Sequence, residues 1–178
     1  MLAKLENLQK DFTSRISGMK SINYWERLKK LKMLSLNRRF DRYKIIYTRK
    51  IIYGEIPNCG IRWNPDGRGT KCEIPKFSSS ASEGTKTIRY NSFQMQGPKL
   101  YNSLPRYLRE NSDLDSKAWK CKLDEFLEKV PDLPVTSNLD SGLCNQFNSS
   151  PTNSVAVWIP HLIRQGEFSN DEPQSSNI

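Results

Sequence analysis

The sequence predicts a mainly α fold, with a small irregular β element in the middle, a helical body and a disordered C-terminal tail (an α+β chain dominated by helix). Three observations carry this. Apolar residues recur at helical spacing over residues 1–53 and again over 116–130. Residues 55–77 are rich in Pro, Gly and Asn. Past Pro134 the chain turns Ser/Asn-rich, slightly acidic and aperiodic, which is the composition of disorder. The chain thus divides into three segments: 1–54, basic and helical; 55–134, mixed turns, strands and helices; and 135–178, a mostly disordered tail.

The first helix spans 1–17, with Leu2, Leu5, Leu8, Phe12 and Ile16 at three- and four-residue steps, and Gly18 stops it. Ser21 is placed to cap the second, whose Tyr24, Trp25, Leu28, Leu31 and Leu34 share one half of a helical wheel, opposite Glu26, Lys29 and Lys30. "SLN" at 35–37 breaks the pattern, and Asn37 suits the N-cap of a third helix. Over Arg38 to Tyr53 that third helix is apolar nearly all round. Phe40, Tyr43, Tyr47 and Ile51 make one stripe about 80° wide. Arg38, Arg42 and Arg49 lie nearly opposite, within about 40° of each other. Ile45, Ile46, Ile52 and Tyr53 flank that arginine seam, and Gly54 ends the helix.

Beyond it, turns predominate, with short strands near 60–63 and 70–74 and a loop at 78–84. "TIRYNSF" at 87–93 alternates as a strand does. Pro98 starts a short helix, "PKLYNSL", and after Pro105 Tyr107 and Leu108 face inward. The clearest amphipathic helix is 116–129. Trp119, Leu123, Phe126, Leu127 and Val130 lie within about 100° on one side. Asp115 or Ser116 caps this helix and Pro131 ends it. Within the tail one apolar island, "SVAVWIPHLI" at 154–163, is either a segment that docks on the body or on a partner, or an unordered sticky stretch; Pro160 bars a long helix there.

The net charge of +9 is unevenly spread. Residues 1–54 hold 14 Lys and Arg against 4 acids, residues 55–134 hold 13 against 11, and residues 135–178 hold 1 against 4. An excess confined to one third points to a polyanionic partner there, or to a helix face kept solvated by lysines. The arginine fork matches phosphate oxygens, so Arg38, Arg42 and Arg49 are the candidate phosphate contacts, with Lys29, Lys30 and Lys32 next. Trp25, Phe40, Tyr43 and Tyr47 are chemically able to stack on bases, but on apolar stripes they read as core.

Other chemistries find little support. The four cysteines (59, 72, 121 and 144) lack the close pairs of zinc modules, and His161 has no partner at ligand spacing. No metal, cofactor or small-molecule substrate is expected. No apolar run reaches the roughly 18 residues of a membrane span, and the N-terminus lacks a signal-peptide core. The chain therefore reads as intracellular, nuclear or cytoplasmic. Phosphate-cradling glycine loops, nucleophile elbows and paired-histidine motifs are missing.

Five motifs occur in order: "LENLQKDFTSRI", "NYWERLKKLKMLSLNRRFDRYKIIYTRKIIYG", "RGTKCEIP", "SFQMQGPKLYNSLPRYLR" and "WKCKLDEFLEKVPDLP". Together they resemble the C-terminal, post-thumb region of non-LTR (LINE-type) retrotransposon reverse transcriptases, over about residues 2–134. "TNSVAVWIPHLI" is weakly similar to that family's tail. The resemblance implies an RNA-directed DNA polymerase as parent and a role in holding template RNA or the RNA/DNA duplex. The family's aromatic-x-Asp-Asp box, which holds the two catalytic metal ions, is missing, since no Asp-Asp pair occurs in the sequence. The expectation is a non-catalytic nucleic-acid-binding remnant. The alternative is an orphaned structural or protein-interaction lobe of a truncated polymerase, whose aromatic faces had packed on the missing polymerase domains.

Overall fold

The computed structural model describes residues 2–64, 71–76, 80–110, 114–133 and 154–166. Within them the chain is mainly helical. In order come α1 (Leu2–Ser14), α2 (Tyr24–Lys30), α3 (Leu36–Ile52), β1 (Trp63–Asn64), β2 (Lys71–Cys72), α4 (Glu83–Tyr90), α5 (Phe93–Ser103), α6 (Arg106–Arg109), α7 (Ser116–Lys129) and α8 (Val155–Arg164). The two strands pair antiparallel, Trp63 opposite Cys72 and Asn64 opposite Lys71.

Caps set most helix starts. The Asn23 side chain accepts from Trp25 N–H, so α2 begins two residues beyond the Ser21 expected from sequence. The Ser35 Oγ accepts from Arg38 N–H and starts α3 two residues before Asn37. Asp115 caps α7 through Lys117 N–H, as its sequence pattern indicates. The expected strand at 87–93 is instead the end of α4 and the start of α5. Ser82 caps α4 through Thr85 N–H, and Lys86 pairs with Glu83 one turn below at 2.8 Å. Ile88 is exposed, so the two-residue alternation that suggested a strand has no buried face behind it. Pro98 lies inside α5 rather than at its start.

The core gathers Ile45, Ile46 and Ile51 of α3, Leu100 and Tyr101 of α5, Leu104, Leu108, and Trp119, Leu123, Phe126 and Leu127 of α7. Helix α5 is its hub and packs on α3, α4, α8 and β2. Gly97 makes the α3–α5 approach possible, because a Cβ there would sit 2.5 Å from the Oγ1 of Thr48. That hydroxyl is fully buried and bonded to Lys44 C=O at 2.8 Å, so it has nowhere to retreat. Gly97→Ala is expected to cost about 1–3 kcal/mol, the usual penalty of overpacking. Adding Thr48→Ala should return part of that loss, read as thermal midpoints by circular dichroism. Additive losses would refute the clash.

The apolar island at 154–163 docks on the body. Val155 and Ile159 are fully buried, and Trp158 donates through Nε1 to Leu133 C=O at 2.9 Å. Asp41 of α3 tethers the start of α8, accepting from Ser154 Oγ at 2.8 Å and Val155 N–H at 2.9 Å. Burial pushes the Asp41 carboxyl above its ordinary pKa, against these two hydrogen bonds. Of the tail expected to be disordered, residues 135–153 and 167–178 lie outside the described residues.

Candidate nucleic-acid interface

Helix α3 determines which cations face water. Its two apolar arcs, Ile45 with Ile52 and Ile46, straddle the arginine seam, so burying them carries the seam into the body. Arg38 is 0% exposed. It donates through Nη2 to Pro131 C=O at 2.6 Å, and Asp132 lies 3.8 Å from its Nε. Burial lowers its pKa and the Asp132 and Asp41 carboxylates oppose that shift; a guanidinium stays charged regardless. Arg42 makes a two-pronged contact with Asp124 of α7, Nη2 to Oδ2 at 2.7 Å, which raises its pKa. Arg49 is buried between the rings of Tyr53 and Trp119, 4.4 and 4.7 Å from their centroids. It also donates to Leu114 C=O at 3.0 Å and lies 3.6 Å from Glu55.

The expected exposed ridge is therefore not formed: Arg38 and Arg49 are buried, and Arg42, partly exposed, is held by Asp124. All three guanidinium groups are matched to carboxylates or carbonyls before any phosphate arrives. The aromatic stripe behaves in the opposite way to the sequence reading. Phe40, Tyr43 and Tyr47 are 46%, 52% and 51% exposed, and only Ile51 of that stripe is buried. Trp25 is half-buried.

The secondary candidates keep their exposure. Lys29 and Lys30 occupy the last turn of α2 and Lys32 lies just beyond it, all three exposed. Lys32 has φ 51°, a left-handed conformation in which glycine is the usual occupant. The bonds of a Schellman turn hold it there: Lys32 N–H to Lys29 C=O at 3.2 Å and Met33 N–H to Leu28 C=O at 2.8 Å. Lys4, Lys10, Arg15 and Lys20 are exposed as well. Over the same stretch the exposed acids are Asp11 and Glu26. Glu6 is occupied, accepting from the Tyr24 hydroxyl and from Leu36 N–H. Between α1 and α2 an open cleft of about 600 Å³ is lined by Asn7, Lys10, Asn23, Tyr24, Trp25 and Arg27. Arg27 belongs to its frame, donating to Thr13 Oγ1, Ile22 C=O and Lys10 C=O.

No protein-family model, curated protein or solved structure matches the chain. Its chemistry is therefore read from its own residues. Among the described residues no three His, Cys, Asp or Glu side chains converge as a metal site would require, and no helix is long and apolar enough to cross a membrane. Cys59 and Cys121 are exposed free thiols; Cys72 is buried, and desolvation pushes its thiol up to about 12. The fourth, Cys144, lies outside the described residues.

What sequence reading missed is which side of α3 faces in. The isoleucines on both flanks of the arginine seam were the available signal. The carboxylates that complete the seam, Asp124 and Asp132, are 82 and 94 residues further along the chain.

Proposed function

We propose that the chain is a non-catalytic nucleic-acid-binding module, related to the post-thumb region of LINE-type reverse transcriptases, and that it grips phosphate through α1, α2 and the turn after α2. One observation carries this reading. Seven cations between Lys4 and Lys32 are exposed while only two acids of that stretch are, so the positive excess survives folding there. On α3, Arg38, Arg42 and Arg49 are each paired with a carboxylate of the chain. An excess of exposed cations binds nucleic acid mainly through phosphate contacts and counterion release. The order of the five sequence motifs supports the family, and the missing Asp-Asp pair supports a role without catalysis.

Titration of the whole chain with RNA and DNA at several salt concentrations tests the proposal. Lys29→Gln, Lys30→Gln and Lys32→Gly together should flatten the salt slope by about two to three units if all three lysines touch phosphate. Glycine at 32 relieves a left-handed backbone, so unfolding is not a competing explanation. An unchanged slope refutes the assignment. A second reading, the protein-interaction lobe, has its own observation: Leu5, Leu8 and Phe12 form an apolar face on α1, 44%, 64% and 67% exposed. Self-association without salt-dependent binding would favour it.

A further inference from the structure

We infer that the outer face of α3 is a stacking platform for unpaired bases, so that the polyanion held by this chain is single-stranded; this rests on the nucleic-acid reading above. Phe40, Tyr43 and Tyr47 stand at i, i+3 and i+7, a spacing that puts neighbouring side chains about 5–6 Å apart at Cβ along one side of a helix. Each is about half exposed, and none joins the core cluster. The Arg42 guanidinium lies 5.7 Å from the Tyr43 ring centroid while its fork holds Asp124, so that ring is backed by a fixed cation.

The residues flanking the rings are basic. Arg39 and Lys50 lie to one side and Lys44 to the other. Each is partly exposed. Lys44 sits 3.9 Å from Asp41 and Lys50 sits 3.5 Å from Glu55, so their charge is moderated but not removed. Helix α3 contains one acid, Asp41, and it is turned into the body to hold the start of α8. The outer face thus presents rings edged by cations, with no carboxylate from its own helix.

That combination selects its occupant. Bases of a single strand offer open π faces to rings and phosphates to the flanking cations. In a duplex those π faces are already stacked on one another, so a row of rings adds nothing to duplex affinity. An apolar protein partner would leave the flanking cations without counter-charges.

The test is Phe40→Ser, Tyr43→Ser and Tyr47→Ser in one full-length variant. Fluorescence anisotropy is read with a labelled 20-nucleotide oligo(dT), an oligo(U) of the same length and a blunt DNA duplex. All three positions are about half exposed and outside the core cluster, so the melt should shift only modestly, and circular dichroism checks that the variant stays folded at the assay temperature. Single-strand affinity should fall on the order of tenfold for each ring that stacks, while duplex affinity and the salt slope stay as in the parent chain. Single-strand affinity within about twofold of the parent overturns the inference and leaves the lysine-based reading standing. A parent chain that binds neither strand nor duplex overturns both. A parent dimer that the variant abolishes, with oligonucleotide binding unaffected, assigns the face to a second copy and likewise overturns the inference.

Discussion

Replacing Asp132 by alanine is expected to destabilise the fold by about 3–5 kcal/mol, the range for removing one partner of a buried ion pair. Arg38, its counter-ion, is fully buried and cannot recover hydration. Asp132 also accepts from Ser35 N–H and Ser35 Oγ, both at 2.7 Å, so its loss strips the start of α3 as well. Arg38→Met should cost less. It leaves Asp132, 18% exposed on its side chain, with its Ser35 contacts and a route to water. Urea denaturation of both variants checks the order, and equal losses would contradict it. For a domain whose whole stability is typically 5–15 kcal/mol, the Asp132 variant loses a large share. An Arg38 variant that fails to bind nucleic acid would thus need its folding tested before its phosphate chemistry.

The second large effect is expected at Trp119, which is 1% exposed and is among the largest fully buried side chains of the described residues. Its indole donates to Leu108 C=O at 2.8 Å and its ring lies against Arg49. Trp119→Ala should cost about 3–5 kcal/mol through cavity formation. Trp119→Phe keeps most of the packing but strands the Leu108 carbonyl, a loss of about 1–3 kcal/mol. Far-UV circular dichroism in urea distinguishes them. An alanine variant within about 1 kcal/mol of the parent would mean that α7 is not anchored there.

Helix α7 was fully legible from sequence, in both its ends and its buried residues, because its apolar and charged positions segregate cleanly and Asp115 and Pro131 punctuate it. Helix α3 was legible as a helix but not in its orientation. Its aromatics and its isoleucines offer two competing apolar faces, and periodicity alone gives no reason to bury one before the other. What decides is long-range: carboxylates at 124 and 132 pair with Arg42 and Arg38, and α5 packs on α3 with Gly97 against Thr48. The strand expected at 87–93 failed because two alternating apolar residues are too few to outweigh a Ser82 cap. The fate of the island at 154–163 could not be read locally, since what fixes it is a carboxylate 113 residues away.

That last distance bears on how the chain is made. Translation at roughly 5–20 residues per second separates the emergence of Asp41 from that of Ser154 by on the order of ten seconds. Until Ser154 emerges, Asp41 lacks the two donors it holds in the finished chain, and α5, made part-way through that interval, lacks its α8 partner. A ribosome that stalls between the two positions would present quality-control proteases with a body lacking α8.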